Sequence, residues 1–302
     1  MSGLVSFIRK YPDEAACIKA LADLKWPNGF VCQKCNHNKA HHLKGRPRIF
    51  ECSSCGFQNS VTAGTVFHKT RTDLSKWFLA AYLIASDKRG ISALQISREL
   101  SIRYDTAWLM CHKLRAALFE RDGFKLEDYV EVDEGHYGGY REKGRTGRSH
   151  GPKKALMALA VEKKFVPGKG RDWVAGAARI RVIEHADKET LTKFIKDSVK
   201  PGATILTDGW RSYAGLTQAG YKHHAMAGSG AAAGVNLPFV HLIFSNLKAW
   251  LNGTFHGVSK KHLHRYLREW NYRFNRRHGD VATFVLNRMA NQPGITYQAL
   301  TA

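Results

Sequence analysis

An α+β multidomain chain is the fold class that the sequence predicts, on three observations. Two Cys-x-x-Cys pairs lie near the start. A span of helical periodicity follows at 73–119. From residue 129 onward strand-like alternation gives way to long helices. The first pattern suits a small fold held by metal, the second a helical bundle, and the third a sheet covered by helices. The expected division is a helical lead-in at 1–28, a metal ribbon at 29–70, a helical domain at 71–122 and an α/β domain with C-terminal helices at 123–302.

Residues 1–28 are expected to form one short helix. Pro12-Asp13-Glu14 puts a proline and acids at a helix start, Ala15, Ala16, Ile18, Leu21 and Leu24 follow, and Trp26-Pro27-Asn28-Gly29 ends it as a turn. Next come Cys32 and Cys35, then Cys52 and Cys55 followed by Gly56. Strand-like stretches around Leu43 and at Arg48-Ile49-Phe50-Glu51 flank a turn at Gly45-Arg46-Pro47. Two thiolate knuckles joined by a hairpin describe a zinc ribbon, since one Zn²⁺ takes four thiolates tetrahedrally and so small a unit cannot build a sufficient apolar core. His37, His41 and His42 read as surface groups beside a complete set of four thiols. Cys17 and Cys111, in apolar helical surroundings, read as core residues.

Across 73–119, Leu74, Trp77, Phe78, Ala81, Tyr82 and Ala85 recur at helical spacing. A short helix starting at Ser92 is followed by a turn and a second helix from about Tyr104, the pattern of a helix-turn-helix. Leu94, Leu100, Ile102, Ala107 and Leu114 are its expected core. Arg103, Tyr104, Asp105, Thr106, Lys113 and Arg115 are its expected groove-facing or phosphate-facing groups. A plain helical linker between domains is the competing reading.

The remainder predicts a sheet. In Tyr129-Val130-Glu131-Val132-Asp133-Glu134 the valines face one way and Glu131 and Asp133 the other. Strands are expected at 154–161 and 173–183, a helix capped by Asp187 with Leu191, Phe194 and Ile195 on its apolar face, then a buried strand at 203–207 ending in Asp208. Hairpin strands, a helix and a strand ending in aspartate is the order of a ribonuclease-H-like fold. Acids on adjoining strands suit phosphodiester chemistry, because two Mg²⁺ ions roughly 3.5–4 Å apart can serve the attacking and leaving oxygens. Asp133 and Asp208 are the expected Mg²⁺ ligands, with Mn²⁺ as a substitute.

Charge points the same way. Lys and Arg number 47 against 25 Asp and Glu, a formal net charge of +22, which calls for a polyanionic partner. No apolar run is long enough to span a membrane, and the first ten residues lack the pattern of a secretory signal, so the expected compartment is the cytoplasm.

The chain resembles the bacterial insertion-sequence transposases that join a zinc ribbon to an ISXO-type DDE transposase domain. The resemblance rests on Val132-Asp133-Glu134, on Thr207-Asp208-Gly209-Trp210-Arg211-Ser212-Tyr213, on Phe244-Ser245-Asn246-Leu247-Lys248, on the run from Gly253 to Leu263 and on the run from Tyr266 to Arg277. It implies strand cleavage and strand transfer with Mg²⁺, and double-stranded DNA partners: terminal inverted repeats and target DNA. It also implies a homodimer or higher oligomer on DNA, near the nucleoid.

The third metal ligand stays open. Many relatives carry an acid seven residues before the lysine that Lys248 matches; here His241 stands there, and Asn246 precedes the lysine by two. Either is a neutral ligand, weaker for Mg²⁺ than a carboxylate. Lys248 is an expected phosphate contact. Glu269, Arg273 and Arg276 share one helix face; the family's acidic–basic signature makes Glu269 a candidate for the missing carboxylate and the arginines DNA contacts, against a plain Glu269–Arg273 ion pair. Arg145, Arg148, Lys153 and Lys154 lie on a glycine-interrupted basic loop read as a DNA clamp. The glycine-rich run at 228–234 reads as a flexible link. A decayed or domesticated DNA-binding regulator and a nuclease that cuts without joining are the alternatives.

Overall fold

The computed structural model describes residues 3–120, 124–138, 154–168, 172–226 and 236–301. The chain divides into two compact units, Met1–Leu118 with Arg276–Ala302, and Phe119–Asn275.

In the first unit the lead-in is two helices, α1 (Leu4–Lys10) and α2 (Glu14–Lys25), where one was expected. Asp13 caps α2, its carboxylate accepting the Ala16 N–H at 2.8 Å. A three-stranded antiparallel sheet follows: β1 (Ala40–Leu43), β2 (Arg46–Cys52) and β3 (Gln58–Ser60), with β2 central. Lys25 fastens α2 to the ribbon by donating to the carbonyls of Ser60 at 2.8 Å and Ala63 at 2.7 Å. Arg48 reaches back to Glu14 at 2.6 Å.

Helix α3 (Leu74–Ser86) buries every apolar position that its periodicity assigned. Helices α4 (Ala93–Glu99) and α5 (Tyr104–Ala117) are joined by a short turn, and Ser92 caps α4 by accepting the Gln95 N–H at 3.1 Å. Two expectations fail here. Leu94 is exposed, because seven-residue α4 buries only Ile96 and Leu94 lies nearly opposite it. Arg115 is buried, because α5 is covered over a wide arc from Ala107 through Met110 and Cys111 to Leu114, and Arg115 stands one turn beyond Cys111. Helices α9 (Val281–Ala290) and α10 (Tyr297–Thr301) complete this unit, α9 packing on α3 and the Val66 N–H donating to the Met289 carbonyl. The sequence division grouped these helices with the α/β domain; their apolar faces close over the N-terminal helices instead.

The second unit is a five-stranded sheet in the order β6-β5-β4-β7-β8. Strands β4 (Tyr129–Tyr137), β5 (Ala155–Phe165) and β6 (Trp173–Ile183) form an antiparallel meander. Strands β7 (Thr204–Thr207) and β8 (Lys222–Ala225) add parallel to β4. Helix α6 (Lys188–Ser198) covers one face, packing Leu191, Phe194 and Ile195 against Val130, Val132 and Ile205. Helix α7 (Pro238–Phe255) and α8 (Lys260–Asn275) cover the other, α7 along β4 and β5 and α8 across β6. Alternation along β4 therefore sends even-numbered residues towards α6 and odd-numbered residues towards α7. The turn expected at Asp122-Gly123, the run at 228–234 and Arg145, Arg148 and Lys153 of the basic loop lie outside the described residues.

Candidate functional site

The four ribbon sulfurs all lie within 4.8 Å of one another. The Cys32–Cys55 separation is 3.7 Å and the Cys35–Cys52 separation 3.6 Å. A tetrahedron with metal–sulfur bonds of about 2.3 Å has edges of roughly 3.8 Å, so the donor set fits one zinc ion. Burial opposes ionisation of Cys32, but N–H donors from the backbone and from Asn59 pull its thiol below its ordinary value, while the neighbouring thiols push that of Cys35 up, as expected where four close sulfurs cannot all ionise without a cation between them. Cys17 behaves as the sequence suggests: it is fully buried, and burial with nearby Glu14 and Asp13 pushes its thiol up to about 12.

Asp133 lies in the central strand. The last parallel pairing between β4 and β7 is Glu131↔Leu206; Asp208 follows two residues later, just past the end of β7, where continuation of that register would bring it towards Asp133 on the α7 face. The end of β7 is built to hold Asp208 still. Gly209 turns at φ 81, a left-handed value suited to glycine, and the Trp210 N–H donates to Asp208 Oδ1 at 2.9 Å. Thr207 contacts His223 Nε2 at 2.8 Å, tying the same turn to β8. On the α6 face, buried Tyr213 donates its hydroxyl to Glu134 Oε2 at 2.7 Å. Burial, then the charges of Glu134, Asp133 and Asp208, hold that phenol far above its usual range, so it remains a donor.

From α7, His241 brings Nδ1 to 3.8 Å from Asp133 Oδ2. Lys248 lies two turns further along the same flank of the helix, half-buried, with Nζ 5.7 Å from the Phe244 ring. Asn246 is exposed and sits about 140° around the helix from His241, so α7 does not bring it to Asp133. Glu269 is fully buried on α8 and pairs with Arg273 at 3.1 Å; its helix packs on β6, two strands from β4. The ion pair expected of that spacing is thus present. Arg276 is half-buried in the other unit.

Glu131 is the residue that sequence reading left without a role. It is fully buried two positions before Asp133, and its Oε2 accepts the N–H groups of Phe239 at 2.8 Å and Val240 at 3.0 Å. These are orphan donors in the first turn of α7, where a carboxylate also meets the positive end of the helix dipole. Burial outweighs those bonds and Lys163, 4.0 Å from Oε1, so its carboxyl sits above the ordinary range. Two positions after Asp133 comes Gly135, where an added Cβ would stand 3.2 Å from the Phe244 ring. Along one face of β4, then, Glu131 anchors the start of α7, Asp133 meets His241, and Gly135 lets Phe244 close in.

Among the expected DNA contacts, Arg103 and Tyr104 are exposed at the start of α5 with Asp105 3.6 Å from Arg103. Thr106 is half-buried, and Lys113 is half-buried with its ammonium pushed below its ordinary value by desolvation. Lys154 is half-buried just before β5. No helix among the described residues is long and apolar enough to cross a membrane.

The comparisons place both parts of the chain in transposase families. Residues 125–275, half of the chain, match the ISXO2-like transposase domain, and residues 12–58 match the transposase zinc-ribbon domain. The chain belongs to the ISXO2-like transposase domain family. It is 27% identical over 278 residues to an uncharacterized protein in the transposable element ISH50 of Halobacterium salinarum, covering 88% of this chain and 92% of that protein. The Mos1 strand transfer complex aligns over 69% of this chain and 77% of its own at 12% identity, with a TM-score of 0.23, too slight a likeness to bear on fold or chemistry.

Proposed function

We propose that this transposase cuts DNA at the ends of its element and joins the freed 3′ ends to target DNA. The carrying observation is Asp133 on central β4 with His241 3.8 Å away, beside parallel β7, whose chain runs on into Asp208. The strand order, an antiparallel meander continued by parallel strands on the β4 side, supports the ribonuclease-H-like reading. The α4–turn–α5 pair supports a helix-turn-helix that presents Arg103 and Tyr104 to DNA. Paired element ends call for at least two copies of the chain.

Asp133 and Asp208 would hold divalent metal, with His241 as the neutral third group. Bound there, Mg²⁺ supplies charge neutralisation at the phosphodiester and lowers the pKa of its water. The chain's own part is positional: the β4–β7 pairing directs the two carboxylates towards one end of the sheet, and Lys248 holds a phosphate along the same flank of α7 as His241. In cleavage, a water oxygen bonds to phosphorus as the bond to the 3′ oxygen breaks, leaving a 3′-hydroxyl and a 5′-phosphate. In joining, that hydroxyl attacks a target phosphodiester and displaces the target's 3′ oxygen.

Asp133→Asn and Asp208→Asn should each abolish nicking and joining of terminal-repeat DNA in Mg²⁺ while leaving its binding unchanged. Wild-type nicking in either variant would refute the assignment. Binding without nicking by the wild-type chain would favour a DNA-binding regulator, and nicking without joining a nuclease.

A further inference from the structure

We propose that Glu134 and Tyr213 are positioning residues, whose hydrogen bond fixes the separation of Asp133 and Asp208. The proposal rests on the reading of those two aspartates as the metal site.

Strand pairing by itself leaves that separation loose. The β4–β7 pairing ends at Glu131↔Leu206 and the β7–β8 pairing at Thr207↔Ala225, so Asp208 lies beyond the last paired residue of β7 on both sides. Gly209 follows at φ 81, where the backbone turns with no side chain to restrain it. Holding Asp208 against Asp133 therefore needs a tie other than the sheet.

An unbroken run of four hydrogen bonds joins the two aspartates. The Glu134 N–H donates to Asp133 Oδ1 at 2.8 Å. Tyr213 donates its hydroxyl to Glu134 Oε2 at 2.7 Å. The Tyr213 N–H donates to the Trp210 carbonyl at 2.9 Å, and the Trp210 N–H donates to Asp208 Oδ1 at 2.9 Å. One carboxylate is thus tied to the backbone of β4, the other to the start of the single helical turn Arg211–Tyr213. The phenol–carboxylate bond links those two elements.

Tyr213 is a firm end for such a strut. It is fully buried in the apolar cluster that includes Val130, Val132 and Ile205, and beside it Ser212 donates to the Ala186 carbonyl at 2.7 Å. That cluster needs only the ring; phenylalanine would fill it without the cost of desolvating a hydroxyl. Half-buried Glu134, in turn, adds like charge beside two carboxylates. Packing alone explains neither group, whereas together they make a charge-assisted bond between β4 and the Asp208 turn. Alternation along β4 turns the Glu134 side chain to the α6 face, opposite that of Asp133, so Glu134 acts through its neighbours rather than as a ligand.

The test uses the full-length zinc-loaded chain. Mn²⁺ binding is measured directly by electron paramagnetic resonance without DNA, and nicking of terminal-repeat DNA is measured over a range of Mn²⁺. Groups that orient metal ligands typically contribute about 10–100-fold to affinity. Tyr213→Phe keeps the packed ring and removes the hydroxyl, and circular dichroism checks its fold. It should weaken Mn²⁺ binding about tenfold, with nicking recovering at saturating Mn²⁺ and DNA binding held. Glu134→Ala should do the same, and the double variant should lose no more than either single one, because both break one bond. Glu134→Gln keeps an acceptor oxygen and should bind Mn²⁺ within about threefold of wild type.

Wild-type Mn²⁺ affinity in Tyr213→Phe would overturn the proposal, as would additive losses in the double variant. So would equal losses in Glu134→Gln and Glu134→Ala, since the carboxylate would then act by its charge. Asp133→Asn and Asp208→Asn, each expected to lose Mn²⁺ binding, separate the two levels. Should both bind Mn²⁺ like wild type, the metal-site reading fails and the proposal falls with it. Should both lose binding while Tyr213→Phe keeps it, the metal site stands and the positioning role alone fails.

Discussion

Replacing Glu131 by alanine should free the start of α7 and loosen the metal site without touching a proposed ligand. The wild-type carboxylate makes two hydrogen bonds, 2.8 and 3.0 Å long, to N–H groups that the helix itself cannot satisfy. Bonds to a charged acceptor contribute about 1.5–3 kcal/mol each, and the cost of burying that charge offsets part of the sum. A net loss of about 3 kcal/mol is expected for Glu131→Ala. Glutamine retains an acceptor oxygen and sheds the desolvation cost, so Glu131→Gln should lose about 1 kcal/mol. Because the chain has two compact units, a single denaturation curve is a poor gauge, and hydrogen exchange in the first turn of α7 reports the local effect directly. A 3 kcal/mol change corresponds to roughly 100-fold faster exchange of the Phe239 and Val240 amides. His241 rides on the same turn, so the metal concentration for half-maximal nicking should rise while binding of terminal-repeat DNA holds. Unchanged α7 exchange in Glu131→Ala would refute this account of the helix anchor, whatever the activity.

Three further outcomes follow from the geometry. His241→Ala should abolish or severely reduce nicking in Mg²⁺, whereas Asn246→Ala on the opposite flank should nick like wild type; the reverse result would reassign the third group. Chelating zinc, or Cys35→Ser, should unfold the ribbon and weaken DNA-end binding while the circular dichroism of the sheet unit persists, and a metal-free chain with a native ribbon would contradict it. The Thr190 N–H bonded to Asp187 holds that carboxyl below its ordinary value of 3.8. Its contribution to α6 is thus present above the ordinary value and lost as pH falls through the depressed one, so Asp187→Ala should speed hydrogen exchange in the first turn of α6 near neutral pH and match wild type in strong acid.

What the sequence revealed was local. The cysteine spacing, the Asp13, Ser92 and Asp187 caps, the α3 stripe and the alternation that sets Asp133 opposite Val132 all depend on neighbours within a few residues, and each is present in the structure. What escaped it was non-local. Glu131 was placed only on the same face as Asp133, without a role, because its partners lie more than a hundred residues downstream. Strands β3 and β8 are three and four residues long, too short to show a period, and exist because β2 and β7 offer them an edge. Arg115 was misread because a basic residue near the end of an amphipathic helix ordinarily faces water, and only the cover over α5 overrides that. His241 and Asn246 could not be ranked until the direction of α7 across β4 was known.

The unit that holds the ribbon is discontinuous: its first piece ends at Leu118 and its second begins at Arg276. The intervening segment ties its own ends together. Asn275 donates to Glu120 Oε1 at 2.9 Å and brackets Ala178 through its backbone N–H at 2.8 Å and carbonyl at 3.0 Å. Bringing the two pieces together across an unfolded segment of that length would cost about 4–5 kcal/mol of loop entropy. Once the sheet unit has folded and its ends are clasped, most of that cost is already met, and the pieces meet as though joined by a short linker. Order of assembly follows: the sheet unit first, the ribbon-bearing unit last. A nascent chain therefore cannot complete the unit that carries the zinc until its final helices have left the ribosome, and a product truncated before Arg276 would leave the apolar face of α3 uncovered.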